Sequence, residues 1–303
     1  MGERFESVAD VVERLRSVDY LADDDIASVT YLADRLEKPV LVEGPAGVGK
    51  TELAKAIAAA TGSRLIRLQC YEGLDEAKAL YEWNYKKQLL RIQADREHET
   101  SWESVESDIF SEPFLLTRPL LEAIRAEDPV VLLIDEVDRV EIETEALLLE
   151  VLSDYQVTIP EIGTVQALTP PLVLLTSNNT RELGDALKRR CLHLHIGFPD
   201  AEREERIVRA RVPEVPPKLL NQLVSFVQAL REEDVRKVPS ISETVDWART
   251  LLLLHAESLS TELVSDTLNV IMKRQSDITA LDSRLKDLTR AAVEGPQGGA
   301  PAR

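Results

Sequence analysis

The stretch that decides the fold reads Gly44-Pro45-Ala46-Gly47-Val48-Gly49-Lys50-Thr51. The apolar run 39–42 precedes it, and residues 52–60, which are typical of a helix, follow it. Its spacing is G-x-x-x-x-G-K-[ST], a motif that requires a strand before it and a helix after it. The glycines let backbone N–H groups converge on phosphate oxygens, and the helix N-terminus adds a favourable dipole. The stretch therefore predicts a phosphate-binding loop between a buried strand and a helix.

The residues of this loop have separate expected roles. The backbone of Gly44 to Gly49 should surround the phosphates, and the Lys50 ammonium should reach the β- and γ-phosphates. The Thr51 hydroxyl should coordinate magnesium. The predicted cofactors are therefore a nucleoside triphosphate and Mg²⁺, although the loop alone does not distinguish ATP from GTP.

Two carboxylates stand at the end of another buried strand. The run 130–134 is fully apolar, and Asp135 and Glu136 follow it. Such a strand brings Asp135 to the magnesium side of the nucleotide, and Glu136 can polarise the attacking water. Signalling GTPases usually carry Asp-x-x-Gly here, and the sequence has no Asn-Lys-x-Asp motif for guanine. The pair therefore indicates ATP hydrolysis.

Amide side chains follow the next buried strand. The run 173–176 leads into Ser177-Asn178-Asn179. The Asn178 amide is placed to lie between Asp135 and the γ-phosphate, where it would orient water. An Asn-Asn pair by itself is only a turn signal. The order of the motifs along the chain favours the catalytic role for Asn178.

A basic cluster, Lys188-Arg189-Arg190, opens the last predicted strand. An arginine supplied by a neighbouring subunit can neutralise the charge that develops on the γ-phosphate. Arg190 is the candidate for this arginine finger, and Arg189 could substitute for it or assist it. The alternative is a solvated basic turn.

Strands and helices alternate as far as about residue 198, and the later pattern is purely helical. The strands are expected at 39–43, 64–70, 130–134, 171–176 and 192–196. This alternation predicts an α/β fold, in which helices cover both faces of a parallel sheet. The expected organisation is an N-terminal helical segment over 1–38, a nucleotide domain over 39–199, a helical lid over 200–292 and a disordered tail over 293–303.

Composition restricts the classes of function. The 303 residues are 44% hydrophobic, which is ample for a core, and carry a net charge of −18. The acidic excess disfavours a protein that wraps nucleic acid or binds anionic lipid, although it does not exclude a local basic pore. No apolar run reaches the ~18 residues of a membrane helix. The N-terminus also lacks the apolar core of a signal peptide, so a cytoplasmic location is expected.

The ordered motifs resemble those of AAA+ ATPases, and more narrowly those of the MoxR-type subfamily. An insertion over about 71–93 resembles the helix-2 insert of that group. A hairpin over about 156–170, with Gly163 at its turn, resembles the pre-sensor hairpin. Arg-Leu-Gln-Cys-Tyr-Glu-Gly-Leu-Asp at 67–75 and Tyr-Glu-Trp-Asn-Tyr at 81–85 are similar to the CoxD-like branch. The resemblance covers about residues 4–290.

This resemblance implies a P-loop AAA+ three-layer parallel-sheet domain followed by a small all-α lid. Arg190 matches the family's arginine-finger position. The positions that match its nucleotide machinery are Lys50, Thr51, Asp135, Glu136 and Asn178. ATP is then the expected nucleotide, with Mg²⁺.

The resemblance also implies partners and a task. It implies a homo-oligomer, expected to be a hexameric ring, with an additional partner that carries a von Willebrand factor A (VWA) domain. The task would be the maturation of a client metalloenzyme of the molybdenum hydroxylase or carbon monoxide dehydrogenase type. One alternative is a motor that acts on nucleic acid in restriction or replication. Another is an ATP-gated scaffold that scarcely hydrolyses, against which the intact Asp135 and Glu136 argue.

One segment departs from the family pattern. Many MoxR-type proteins open a lid helix with Pro-Ser-x-Arg, whose arginine senses the nucleotide. This chain has Pro239-Ser240-Ile241-Ser242, so a serine stands at the position of the arginine. Arg249 either compensates or lies on the surface.

Aromatic residues cluster in the first insertion. Tyr81, Trp83 and Tyr85 alternate along the chain, so on a strand they would share one face. This face would either pack the insertion onto the domain or grip a client polypeptide. Aromatic stripes more often belong to a core.

Overall fold

The computed structural model describes residues 4–94 and 108–294. The chain divides into two compact units. The first comprises the described parts of Met1–Glu43 and Lys50–His195, and the second comprises Gly44–Gly49 and the described part of Ile196–Arg303. Most of the tail expected over 293–303 lies outside the described residues, but Val293 and Glu294 belong to the last helix.

Among the described residues, the first unit contains nine strands together with helices on both sides of them in the chain. The strands are β1 Val40–Glu43, β2 Arg64–Gln69, β3 Tyr81–Trp83, β4 Leu115–Thr117, β5 Val130–Asp135, β6 Gln156–Ile159, β7 Gly163–Gln166, β8 Leu172–Ser177 and β9 Leu192–His195. The helices are α1 Val8–Ser17, α2 Asp24–Leu36, α3 Lys50–Thr61, α4 Glu76–Ala79, α5 Tyr85–Ala94, α6 Pro119–Ile124, α7 Ile142–Asp154 and α8 Asp185–Arg190.

A five-stranded parallel sheet forms the centre of this unit. Its strand order is β2-β5-β8-β1-β9, and every neighbouring pair is parallel. All six residues of β5 and all six of β8 are buried, as expected for strands that helices cover on both faces. The α/β fold expected from the sequence is confirmed. Since the carboxyl ends of parallel strands meet at one edge, the residues that end β5 and β8 become neighbours.

The insertion over 71–93 has more regular structure than its sequence indicated. It contains α4, β3 and α5, and β3 pairs antiparallel with β4, with Tyr81 opposite Thr117. The prediction that Tyr81, Trp83 and Tyr85 share a strand face is wrong for Tyr85. That residue begins α5 and is 62% exposed. Asn84 ends the strand, because its side chain accepts a hydrogen bond from the Lys87 amide in the first turn of the helix.

Trp83 belongs to the core of the first unit. It is 8% exposed, and its ring packs edge-on against Phe110 at a centroid distance of 5.4 Å. Of the two alternatives for the aromatic cluster, packing therefore applies at Trp83, and gripping a client is incompatible with its burial.

Trp83→Ala is expected to lower the free energy of unfolding by about 3 kcal/mol, at the lower end of the range for truncation of a buried aromatic residue. Urea unfolding followed by circular dichroism measures this loss. Tyr85→Ala is the matched control and should change stability by less than about 0.5 kcal/mol, because the ring is exposed. If the two variants unfold at the same urea concentration, Trp83 is not a core residue.

The hairpin expected over 156–170 is formed by β6 and β7. Gln156 pairs with Gln166 and Ile159 with Gly163. Gly163 has a φ of 99°, a backbone conformation that glycine adopts at little cost. The hairpin immediately precedes β8, the strand that leads to Asn178.

The second unit is helical from Ala201 onward. Its helices are α9 Ala201–Arg211, α10 Pro217–Arg231, α11 Ile241–Leu253, α12 Thr261–Ile271, α13 Gln275–Leu281 and α14 Leu285–Glu294. The helix α11 ends at Leu253, because His255 is left-handed and the Ala256 N–H donates back to the Leu251 carbonyl. The helical pattern is interrupted again between Leu281, the end of α13, and Leu285, the start of α14.

A buried ion pair lies inside this helical unit. Both guanidinium ends of Arg231 donate to the Glu204 carboxylate at 2.7 Å, and neither side chain is more than 7% exposed. Arg231 Nε also donates to the Pro239 carbonyl. The pair therefore anchors the segment just before α11, a helix that begins with a capping box of Ser240 and Glu243.

No helix in residues 4–94 or 108–294 combines the length and apolar character that a membrane crossing requires.

Candidate functional site

The glycine loop has the backbone conformation that its sequence predicts. Gly44, Gly47 and Gly49 all have positive φ, at 149°, 78° and 102°. A Cβ at Gly44 would lie 2.0 Å from the Ile196 carbonyl oxygen, so no other residue fits there without a backbone shift. The loop leads directly into α3, whose first two residues are Lys50 and Thr51.

Lys50 is a buried cation. It is 6% exposed, and its Nζ donates a hydrogen bond of 2.8 Å to Asn178 Oδ1. Burial lowers the pKa of Lys50 from its ordinary value, and the neighbouring carboxylates of Asp138, Asp135 and Glu136 oppose this shift. Its ammonium thus contacts the Asn178 side-chain amide just after β8 and lies within electrostatic range of three carboxylates.

Thr51 and Asp135 lie side by side. Thr51 Oγ1 donates to Asp135 Oδ1 at 3.0 Å, and Thr176 Oγ1 donates to the same oxygen at 2.5 Å. Asp135 Oδ2 accepts two hydrogen bonds from the Arg67 guanidinium. A hydroxyl and a carboxylate are oxygen ligands of the kind that Mg²⁺ takes beside nucleotide phosphates. These two residues therefore fit a magnesium ion.

Glu136 turns the chain away from the sheet. Its φ and ψ are 58° and 48°, a left-handed conformation that is costly for a residue with a side chain. A hydrogen bond of 2.9 Å from its N–H to Thr176 Oγ1 holds this conformation. Its Oε2 accepts hydrogen bonds from Arg139 at 3.0 Å and from Gln69 at 3.3 Å. The carboxylate is therefore oriented by two side chains and remains partly exposed.

The structure brings together four of the residues predicted from the sequence: Lys50, Thr51, Asp135 and Asn178. Glu136 adjoins them through Thr176. The group also has contacts from four residues that the sequence pattern does not single out, namely Thr176, Arg67, Gln69 and Asp138. Of these four, Thr176 and Asp138 could have been suspected from the sequence, because each lies within three residues of a predicted site residue.

Arg189 and Arg190 do not open the last strand as expected. They are the last two residues of α8, a helix that the alternation of strands did not reveal. Arg190 Nε donates to Ser153 Oγ at 2.6 Å, and its Nη1 donates to the Ala186 carbonyl at 3.1 Å. Both contacts are within the same chain, and neither is with Asp135 or Glu136.

Arg249 is a surface residue. More than half of its side chain is exposed, and its guanidinium pairs with Asp246 at 3.3 Å. Ser242, at the position where an arginine was expected, donates instead to the Gly47 carbonyl at 3.4 Å. The start of α11 therefore contacts the glycine loop through a hydroxyl rather than a cation.

The arrangement of charges is suited to phosphoryl transfer to water. A buried ammonium and a glycine loop can stabilise phosphate charge, and a carboxylate with a hydroxyl can hold a divalent cation. A second carboxylate, one residue further on, can accept a proton from water.

Comparisons with known proteins agree with this chemistry. The family described as "ATPase family associated with various cellular activities (AAA)" matches residues 40–200. An uncharacterized protein of Staphylococcus aureus (strain bovine RF122 / ET3-1) is 26% identical over 224 residues, which cover 72% of this chain and 76% of that protein. An uncharacterized protein of Staphylococcus haemolyticus is 24% identical over 238 residues, with coverage of 76% and 82%.

Among solved structures, the chain is similar to RuvB of Thermotoga maritima. A RuvB point mutant superposes with a TM-score of 0.49 and 16% identity, over 88% of this chain and 72% of that one. A structure described as the RuvB Holliday junction branch migration motor gives a TM-score of 0.46 and 17% identity over the same shares.

Proposed function

We propose, since the chain belongs to the ATPase family associated with various cellular activities (AAA), that its hydrolysis of ATP drives the remodelling of a client protein. The protein is an ATPase, and ATP and Mg²⁺ are its cofactors. The observation that supports the assignment best is the meeting of Lys50, Asn178, Thr51 and Asp135 at the carboxyl ends of β5 and β8.

Several side chains of this protein have separate roles in the hydrolysis of ATP. Lys50 neutralises charge on the transferred phosphate, and the Asn178 amide, which Lys50 holds by a hydrogen bond, orients water. Glu136 accepts the water proton at its carboxylate. Thr51 and Asp135 would hold the magnesium ion, which would supply positive charge to offset the charge that develops on the phosphates.

We further propose a chaperone role in the maturation or activation of a metalloenzyme, with a VWA-domain protein as partner. The resemblance at 67–85 to the CoxD-like branch supports a molybdenum hydroxylase or carbon monoxide dehydrogenase as client. The acidic charge of −18 supports a protein client over nucleic acid. The insertion also exposes apolar side chains that suit a protein contact, namely Tyr71, Tyr85, Leu89 and Leu90.

This role is tested by capturing partners on the ATP-bound state. Tagged Glu136→Gln protein is loaded with ATP and purified from its own cells, and bound proteins are identified by mass spectrometry. A VWA-domain protein and metalloenzyme subunits are expected. Duplex DNA that raises ATPase turnover severalfold, in the absence of such proteins, would instead assign a nucleic-acid motor.

The active assembly is proposed to be a cytoplasmic homo-hexamer in which Arg190 acts on the site of the next subunit. Arg190→Ala should still bind ATP but turn over at least about tenfold more slowly. This loss is smaller than for a sole arginine finger, because Arg189 beside it carries a second guanidinium. Lys188→Ala, which removes a neighbouring surface cation, is the control and should keep its turnover.

Mixing tests whether the arginine acts between subunits. Arg190→Ala subunits are mixed with Glu136→Gln subunits, and hydrolysis is measured. Some interfaces then join an intact arginine to an intact carboxylate, so activity should exceed that of either variant alone. Mixed assemblies, shown by mass spectrometry to contain both chains, that gain no activity would exclude an arginine finger at Arg190.

A further inference from the structure

Asp138 is a buried carboxylate that the reaction described above does not use. It lies in the single turn Val137–Arg139, three residues beyond Asp135, and is 3% exposed. Its Oδ2 accepts three hydrogen bonds: from the Asn178 N–H at 3.2 Å, the Thr180 N–H at 2.9 Å and the Thr180 hydroxyl at 2.7 Å. Its Oδ1 has no partner among the described residues. The side-chain bonds of this carboxylate therefore go to the segment that follows β8.

That segment carries the amide of the site. The Asn178 side chain accepts a hydrogen bond from Lys50, while its backbone N–H donates to Asp138. On the other side of Asn178, the Thr176 hydroxyl accepts from the Glu136 N–H. The segment Thr176 to Thr180 is thus joined by hydrogen bonds to Glu136 and Asp138, which follow β5.

The contacts favour a charged carboxylate. Burial alone would raise the pKa of Asp138, but the hydrogen bonds from Thr180 and Asn178 outweigh it and hold the pKa below its ordinary value. Hydrogen bonds to an ionised acceptor are roughly twice as strong as those between neutral groups. Asp138 can therefore hold the backbone more firmly than a neutral side chain would.

We propose that Asp138 is a positioning residue for ATP hydrolysis. It fixes the backbone of Asn178. The side-chain amide of Asn178 then keeps its hydrogen bond with Lys50 and stays oriented to act at the γ-phosphate. It acts through Asn178 and touches neither nucleotide nor water itself.

The first test separates turnover from nucleotide binding. Asp138→Ala removes the acceptor and should lower kcat by about 10- to 100-fold, because small misplacements of a positioned group are costly. The KM for ATP should stay within about threefold, since the glycine loop and Lys50 remain. Asp138→Asn keeps an oxygen acceptor without the charge and should fall between wild type and Asp138→Ala. Unchanged kcat in Asp138→Ala, or a loss confined to KM, overturns the proposal.

The second test asks whether the effect passes through Asn178. Asn178→Ala alone should also lower kcat. The double variant Asp138→Ala, Asn178→Ala should then be no slower than Asn178→Ala, because no amide is left to position. A purely structural role predicts instead that the two losses multiply. Multiplied losses, or normal turnover in Asn178→Ala, would each refute the proposal.

A milder pair of variants serves if Asp138→Ala does not fold. Thr180→Val removes one of the three donors and keeps the side-chain shape, and should lower kcat by about threefold. Thr144→Val is the matched control, because its buried hydroxyl donates to the Leu74 carbonyl at 2.7 Å, on another part of the first unit. Equal kcat in the two variants, at similar melting temperatures, contradicts the proposed role.

Discussion

Glu136→Gln is expected to bind ATP with wild-type affinity and to lower kcat by about 10²- to 10⁴-fold, the usual contribution of a general base. Glutamine keeps the size of the side chain and can still accept hydrogen bonds from Arg139 and Gln69, which contact Glu136 Oε2. It cannot accept a proton from water. The change therefore removes one chemical step and leaves the site otherwise as it was.

Phosphate release measures turnover, and a fluorescent ATP analogue measures affinity. Glu143→Gln is the matched control: it removes an exposed carboxylate in the first turn of α7 and should hydrolyse ATP normally. If Glu136→Gln hydrolyses ATP like wild type, the assignment of the base is wrong. If it loses ATP affinity as well, Glu136 acts in binding rather than in proton transfer.

Lys50→Ala is expected to weaken ATP binding by at least about 100-fold. The ammonium faces two phosphates, and each charge-assisted hydrogen bond contributes about 1.5–3 kcal/mol. The substitution also leaves three carboxylates, those of Asp135, Glu136 and Asp138, without the buried cation whose charge offsets theirs. Repulsion between these carboxylates and the anionic nucleotide would add to the loss.

Isothermal titration with ATP and Mg²⁺ measures this affinity. Lys55→Ala is the control on the same helix, because its side chain is about half exposed and its ammonium pairs with Glu52 at 2.6 Å. It should bind ATP like wild type. Near-normal affinity in Lys50→Ala would mean that the glycine loop binds the phosphates without Lys50. The role of Lys50 would then be to hold the Asn178 side chain in place by its hydrogen bond.

Residues that act through local sequence were predictable. The glycine loop, Lys50, Thr51, Asp135 and Glu136 are specified by short-range spacing, because a loop between strand and helix leaves few positions for phosphate ligands. The five parallel strands were predictable for a similar reason. A strand buried on both faces is largely apolar, as β5 and β8 are up to the polar residues at their carboxyl ends.

Features that depend on helix ends and on pairing between distant segments were not predictable. Arg190 closes a six-residue helix, which is too short for a periodic signal. The strand β4 is three residues long and exists only because β3 pairs with it. Tyr85 was assigned to the wrong element because the side chain of Asn84 starts a helix there.

The class of fold, the phosphate loop and the identity of the carboxylates thus follow from residues that are close together in the chain. Which further side chains contact them depends on the folded arrangement of distant segments. Thr176, Arg67 and Asp138 reach the site because parallel strands that are far apart in sequence end at the same edge of one sheet. Their hydrogen bonds to Asp135, Glu136 and Asn178 exist only after that sheet has formed.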